Sequence, residues 1–382
     1  AEPPIRVGPR PAYLIAQLAP GPLKTQLESC LDKPVQRSRF SIAHRGAPLQ
    51  FPEHTRESYL AAARMGAGMI ECDVTFTKDR ELVCRHDQCD LHATTNILSI
   101  PTLSAKCSAG FTPFDPATGA PASARCCTSD LSLAEFQQLR GKMDGVNPQA
   151  RTVEAFLQGT PTWRTDLYAS TGTLMTHREA IALFQQIGVA MTPELKTPAV
   201  EMPFAGDYTQ ERFAEQMLDD YVAAGIDPSR VRAQTFRIAD IQHWQRSHPA
   251  FAKNAIALFD LTDARAAERL RNQLTELKQQ GVRTLAPPLW ALLRSDEQGE
   301  LRASPLALEA RQQGFELITW TLERSGTLQD DNDYYLQGIS DAINGPGDTW
   351  RILAALDQQV GVTGVFSDWP ATTSYYASCT HH

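Results

Sequence analysis

No stretch of this sequence reaches the ~18 uninterrupted apolar residues that a membrane-spanning helix requires. Positive charge is also in short supply. Across 382 residues, 36 Lys and Arg stand against 44 Asp and Glu, a net charge of −8. The cationic surface that nucleic acid or anionic lipid usually needs is therefore not provided, and neither partner is expected. None of the eight cysteines forms a Cys-x-x-Cys pair and no histidine lies at zinc-finger spacing from them, which argues against structural zinc. An initiator Met is missing too: Ala1 in first place fits a removed signal peptide, and His381 and His382 fit tag remnants.

What is present is a globular composition, 42% hydrophobic, enough for one large domain or two. Cys30, Cys72, Cys84, Cys89, Cys107, Cys126, Cys127 and Cys379 are even in number and include a vicinal pair. Disulfides persist in oxidising compartments, so a periplasmic or secreted protein is expected, with the pairing left open.

Residues 1–39 are Pro-rich and lack sustained periodicity apart from a short helix around 22–30, which reads as a surface wrap. From Phe40 onward a unit recurs in which an amphipathic helix ends at a glycine and an apolar strand follows. In the helix predicted at 176–186, Thr176 and Glu179 form a capping box and Ala180, Ile181, Phe184 and Ile187 share one face. Further stripes are Phe213, Met217, Tyr221 and Ala224; Leu270, Leu274 and Leu277; and Ile238, Ile241 and Trp244. Strands are predicted at 41–46, 69–76, 81–86, 189–194, 231–236, 254–260, 283–286, 315–321 and 362–367. Their alternation with helices argues for a parallel sheet, although nine strands exceed the eight of a closed barrel by one. The link from 76 to 81 is also shorter than the ~10–12 residues of a helical crossover, so the barrel is expected to be irregular there. Between His86 and Thr176 the pattern lapses, with prolines and four cysteines. A loop of that length without structure is improbable, which points to an inserted, disulfide-braced subdomain at 88–172, with a helix near 131–139. The barrel domain is then 40–87 together with 173–372.

The chemistry concentrates at the ends of the predicted strands. His44 and Arg45 follow Ser41-Ile42-Ala43, Glu71 and Asp73 sit in Ile70-Glu71-Cys72-Asp73-Val74, and His86 follows Val83-Cys84-Arg85. Residues two apart on a strand face one side, so Glu71 and Asp73 converge as half a site for a hard cation. Glu194, in Thr192-Pro193-Glu194-Leu195-Lys196, offers a third carboxylate, and oxygen-only ligation favours calcium or magnesium over zinc. Lys196 faces the same way as Glu194. Two imidazoles flanking the carboxylates in sequence can divide the labour, one removing a proton from an attacking hydroxyl and the other protonating the leaving oxygen. Arg45, with Lys196, suits the non-bridging oxygens of a phosphate. Trp320, at the end of a strand, is a candidate for packing on the substrate. His54, at a helix start, is expected to order its loop, with Thr55 as the N-cap.

In this order the motifs resemble the glycerophosphodiester phosphodiesterases: His44-Arg45-Gly46, Pro52-Glu53-His54-Thr55, Glu71-Cys72-Asp73, Thr77-Lys78-Asp79, His86-Asp87 and Glu194-Leu195-Lys196. Weaker similarity continues at Ile318-Thr319-Trp320-Thr321 and Gly364-Val365-Phe366-Ser367-Asp368. The Pro-Glu-His-Thr form resembles the calcium-dependent periplasmic branch. The resemblance implies a TIM (β/α)8 barrel with its insertion after the third strand. One divalent cation on Glu71, Asp73 and Glu194 is implied, calcium ahead of magnesium, with His44 and His86 as the acid/base pair. Arg45 and Lys196 are implied as phosphate ligands. The implied reaction yields an alcohol and glycerol 3-phosphate through a cyclic phosphate. The chain departs from the family at Ala93, where an Arg is expected, at Glu323, where an Asn is usual, and in the size of its insertion. Two other readings remain: a phospholipase D-like enzyme acting on lysophospholipids or sphingomyelin, and a non-catalytic binding protein on the same fold.

Overall fold

A computed structural model describes residues 4–167, 172–324 and 333–382. Nine strands form its main sheet: β1 (Ser38–Ala43), β2 (Ala67–Phe76), β3 (Leu82–Cys84), β4 (Ala190–Leu195), β5 (Gln234–Thr235), β6 (Ile256–Leu258), β7 (Thr284–Ala286), β8 (Glu316–Leu322) and β9 (Gly364–Ser367). All nine coincide with sequence-predicted strands. Eight are parallel, and because β1 pairs with both β2 and β9 they close into a TIM barrel. The surplus strand is β3, which pairs antiparallel with β2 through Val74↔Cys84 and Phe76↔Leu82. A hairpin needs only a tight turn, closed here by the Thr77 N–H on the Glu81 carbonyl at 2.9 Å. That accounts for the link too short for a helix.

Helix ends follow the local chemistry. In the helix His177–Ile187 the Thr176 hydroxyl accepts from the Glu179 N–H at 3.0 Å and the Glu179 carboxylate accepts from the Thr176 N–H at 3.2 Å. Gly188 closes it at φ 87°, where a side chain would be strained. Of the predicted stripes, Phe213, Met217 and Tyr221 are buried, whereas Ala224 is exposed because its helix stops at Ala223. The N-terminal segment contains the expected short helix, Pro22–Glu28, and also an unforeseen one, Arg10–Ala16, too short to show a repeat.

Inside the barrel, Ile42, Met69, Ile256, Leu258, Ile318 and Phe366 fill the lumen beneath the C-terminal strand ends, so the site has a solid floor. After β3 the chain leaves the barrel strands for the stretch expected to be an insertion. Leu91, Ile97, Leu131, Phe136, Leu139 and Phe156 pack there in a hydrophobic cluster that also takes in Val83 of β3 and Leu174, and Cys89–Cys127 and Cys107–Cys126 brace it. The helix expected near 131–139 is shorter, Leu133–Phe136, with a Ser132/Glu135 capping box.

The other disulfides are Cys72–Cys84, between β2 and β3, and Cys30–Cys379, which fastens the N-terminal segment to the last helix. Cys30 and Cys379 lie 349 residues apart, so the unfolded chain loses much freedom by this bridge. Replacing both with Ala is expected to lower unfolding stability by roughly 2–5 kcal/mol, read from denaturant midpoints with the other bridges intact.

Candidate active site

The ends of the barrel strands bring the predicted side chains to one cavity. His44, Arg45, Glu71, Asp73, His86, Glu194, Lys196 and Trp320 all line it, joined by Gln234, Phe236, Leu258, Tyr335 and Phe366. Register explains the carboxylates: Asp73 on β2 sits directly beside Glu194 on β4, and Glu71 lies two residues earlier on the same face.

His44 follows β1, and its Nδ1 lies 2.6 Å from Asp368 Oδ1, just past β9. A carboxylate only accepts, so Nδ1 carries the proton and Nε2 keeps its lone pair. Burial, then the neighbouring Arg45, pull the His44 pKa down to about 4 against the opposing pull of Asp368. Burial, with Arg45 and Lys196, also holds His86 well below the usual imidazole range. Both rings are thus neutral near pH 7.

Arg45 takes a left-handed backbone, φ 60°, a sparsely populated conformation for a non-glycine residue. Its N–H donates to Glu71 Oε1 at 3.2 Å, and its Nη1 donates to both oxygens of Glu53 at 3.0 and 2.9 Å. Lys196 Nζ lies 2.7 Å from Glu194 Oε2. The two expected phosphate ligands therefore face the cavity already held by carboxylates, which fixes their positions.

The three acids crowd one another. Burial, Asp73 and Glu194 push Glu71 well above the usual carboxyl range, although Gln234 donates to its Oε2 at 2.7 Å. Burial also raises Glu194, to about 7, despite Lys196. Asp73 stays ionised, lowered to about 2 against its burial chiefly by His54, whose Nε2 lies 2.9 Å from Oδ2. Its other oxygen, Oδ1, is buried without a hydrogen-bond partner among the described residues. Converging carboxylates with an orphaned oxygen are a donor set that fits a hard cation.

His54, Glu71 and Asp73 also bring ligand atoms within 4.8 Å of one another, a trio that includes His54 where the sequence suggested Glu194. Both ring nitrogens of His54 are engaged, however: Nε2–H donates to Asp73 and Nδ1 accepts from the Tyr59 hydroxyl at 2.8 Å. It supports Asp73 rather than offering a lone pair. This buried role, at φ 55°, is more specific than ordering a loop.

Several contributors had no role in the sequence reading. Glu53 and Asp368 lie inside quoted motifs, yet their partner, Arg324, had no signal at all. Its guanidinium donates to Asp368 Oδ2 and to Glu53 Oε1, each at 2.9 Å. The insertion adds Arg164, 3.6 Å from Glu53 and paired with Asp144. Glu323, the departure from the expected Asn, is buried and accepts from Arg10 of the N-terminal segment, Ser367 and Thr372. Trp320 donates from Nε1 to the Ala286 carbonyl at 2.8 Å, which sets its ring as a wall between Phe236 and Tyr335.

The profile of the "Glycerophosphoryl diester phosphodiesterase family" matches residues 44–372. An "Extracellular protein" of Arthroderma benhamiae is 46% identical over 242 residues, 62% of this chain and 99% of that one. A Silicibacter pomeroyi structure carrying the provisional name glycerophosphoryl diester phosphodiesterase superposes with TM-score 0.59 at 20% identity, covering 93% of this chain and 98% of its own. An Oleispira antarctica phosphodiesterase, solved with the product sn-glycerol-3-phosphate, gives TM-score 0.51 at 18% identity, covering 92% and 99%.

Proposed function

The chain belongs to the glycerophosphoryl diester phosphodiesterase family and is a phosphoric diester hydrolase, and on that footing we propose that it cleaves glycerophosphodiesters to an alcohol and glycerol 3-phosphate. The observation that carries this reading is the shared cavity of His44 and His86 with three carboxylates, Arg45 and Lys196.

In the proposed reaction the glycerol hydroxyl of the substrate attacks phosphorus, the alcohol leaves, and water opens the resulting cyclic phosphate. Asp368 favours His44 as the ring that takes the first proton, because a carboxylate on Nδ1 stabilises the imidazolium that forms. The anionic phosphodiester, bound beside Arg45 and Lys196, offsets the cations that hold His86 low, so His86 takes up a proton with the substrate and then protonates the leaving oxygen. Arg45 and Lys196 orient the non-bridging oxygens. Glu71, Asp73 and Glu194 would hold one divalent cation, with calcium expected because hard oxygen donors suit it. When bound, it supplies charge to offset that developing on oxygen. Trp320 packs against the glycerol moiety. Residues 88–172 are proposed as a subdomain that shapes the mouth of the site. Four disulfides, and the extracellular name of a relative, support a secreted or periplasmic location. Among the described residues no helix is long and apolar enough to cross a membrane.

The assay is release of choline and glycerol 3-phosphate from glycerophosphocholine in calcium. No turnover on any glycerophosphodiester, with calcium or magnesium present, would overturn the proposal. The apolar lining of Phe236, Leu258, Trp320 and Phe366 favours a second reading, attack on lysophospholipids, which activity confined to lipid substrates would identify.

Two further results are expected. Asp368→Asn should cut kcat by about 10²–10⁴-fold with KM little changed, because an amide no longer fixes the Nδ1–H tautomer that leaves Nε2 free as base. Because His44 must be neutral to act as base and its pKa is pulled down to about 4, kcat/KM at saturating calcium, where protons no longer displace the cation from Glu71 and Glu194, should hold through mild acid and fall only as pH drops through about 4. A profile breaking at the ordinary imidazole value would contradict that assignment.

A further inference from the structure

The opposite end of the barrel carries a cavity of about 600 Å³, within the usual range of small-ligand sites. Its walls come from the N-terminal ends of successive strands and the loops leading into them. Arg39 belongs to β1, Arg232 precedes β5, Lys253 precedes β6, Arg283 precedes β7 and Lys278 ends the helix before it. Five cations thus face one hollow in a protein whose net charge is −8.

Among the lining residues they share a single carboxylate, Glu316 at the start of β8, and it is fully used, while Asp227 outside the lining acts on Lys253 only at longer range. Arg232 donates to both of its oxygens at 2.7 and 2.9 Å, and the Thr284 and Thr363 hydroxyls donate at 3.0 and 2.6 Å. Arg39, Lys253, Lys278 and Arg283 form no ion pair among the described residues. Arg39 is held by the Ser229 carbonyl at 2.9 Å and Lys278 by the Gln313 carbonyl, so both are fixed by neutral acceptors that leave their charge uncompensated. Burial and repulsion from Arg230 and Arg232 lower the Arg39 pKa, a sign of how closely like charges are packed. The catalytic cavity is arranged oppositely, with Arg45 and Lys196 each against a carboxylate.

Uncompensated cations of one sign, gathered in a concave site, favour an anion with several charges, since each additional charged group meets another guanidinium or ammonium. We propose that this cavity is a second binding site, remote from the catalytic one, for a ligand bearing two or more phosphate groups. The guanidinium forks of Arg39 and Arg283, with ammonium groups beside them, suit several phosphate oxygens at once. The same chemistry could be offered by a soluble oligophosphate or by a phosphorylated lipid headgroup, and the two are separable by experiment.

The probe is tripolyphosphate, titrated calorimetrically into the chain after removal of metal, so that chelation and catalysis do not contribute. The wild type is expected to bind one equivalent, with affinity falling as salt rises. Arg39, Lys253 and Arg283 are exposed, so the triple Arg39→Gln, Lys253→Gln, Arg283→Gln variant removes charge with little cost to packing. It should bind at least tenfold more weakly and keep wild-type turnover, while Lys196→Gln, altered in the catalytic cavity, should bind like wild type. Where the triple variant does not fold, Arg283→Glu alone should give the same direction of change. Co-sedimentation with phosphatidylcholine vesicles containing phosphatidylinositol 4-phosphate, against phosphatidylcholine alone, is the lipid arm. Dependence on the three cations there, without tripolyphosphate binding, would place the phosphates on a lipid. Equal binding by the triple variant in both arms, loss of binding in Lys196→Gln, or loss of turnover together with binding would overturn the proposal.

Discussion

Replacing His44 with Ala is expected to lower kcat by about 10²–10⁴-fold, the range that a positioned proton-transfer group contributes. Among the described residues lining the cavity, this ring is the one whose tautomer is set by a buried carboxylate, Asp368, itself fixed by Arg324. Ala at this position removes the proton acceptor and also leaves Asp368 facing a gap. Circular dichroism and thermal unfolding should therefore accompany the assay, to separate lost chemistry from lost fold. His86→Ala should cost a similar factor with an ordinary alcohol as leaving group. With p-nitrophenol, which departs without protonation, it should cost much less. The leaving-group comparison assigns the roles: if His44→Ala rather than His86→Ala is rescued by the activated substrate, the two histidines have exchanged tasks.

Glu71→Gln should abolish turnover and, at the same time, stabilise the protein when no metal is present. The substitution keeps shape while removing one of three mutually repelling buried acids, and Glu71 is the one pushed well above the ordinary carboxyl value by burial, Asp73 and Glu194. A gain of ~1 kcal/mol would raise the thermal midpoint of metal-free protein by about 1 °C. The wild type should respond to calcium with about 2.7 kcal/mol of stabilisation at one hundred times the dissociation constant, and the variant hardly at all. The sign with pH follows from the raised carboxyls. A group whose folded-state pKa lies above its unfolded value stabilises the fold while protonated, and that contribution is lost as pH rises through the folded value. For Glu194 the loss is complete only above about 7. The calcium-induced shift should therefore grow from weakly acidic pH to above 7, as the cation replaces protons in offsetting the acids. A calcium shift as large in Glu71→Gln as in wild type would remove Glu71 from the cation site.

Much of the fold could be read along the chain because its signals are local. A capping box, a closing glycine and an apolar stripe each lie within about a dozen residues, as Thr176, Glu179 and Gly188 show. The polar residues of the site were legible for a related reason: barrel strands deliver their C-terminal residues to one face, so a histidine or carboxylate at a strand end already has a destination. The nine strands of the main sheet were each predicted, but the three small two-stranded sheets were not, and pairing direction was not local information. Only the contact of Val74 with Cys84 shows that β3 is a hairpin partner rather than a barrel stave.

The sequence by itself determined which polar groups reach the cavity proposed for catalysis and which strand end presents each of them, since both follow from residue type and period. Tertiary structure alone decided what those groups face. Glu53 of one motif, Asp368 of another, Arg324 near β8 and Arg164 of the insertion meet in one ion network that supports His44 and Arg45. Cys30 meets Cys379 across 349 residues. Five cations scattered from Arg39 to Arg283 gather at the barrel's other end. Contacts of that kind depend on closure of the sheet, a property of the whole chain, and carry no pattern that a local window of sequence can hold.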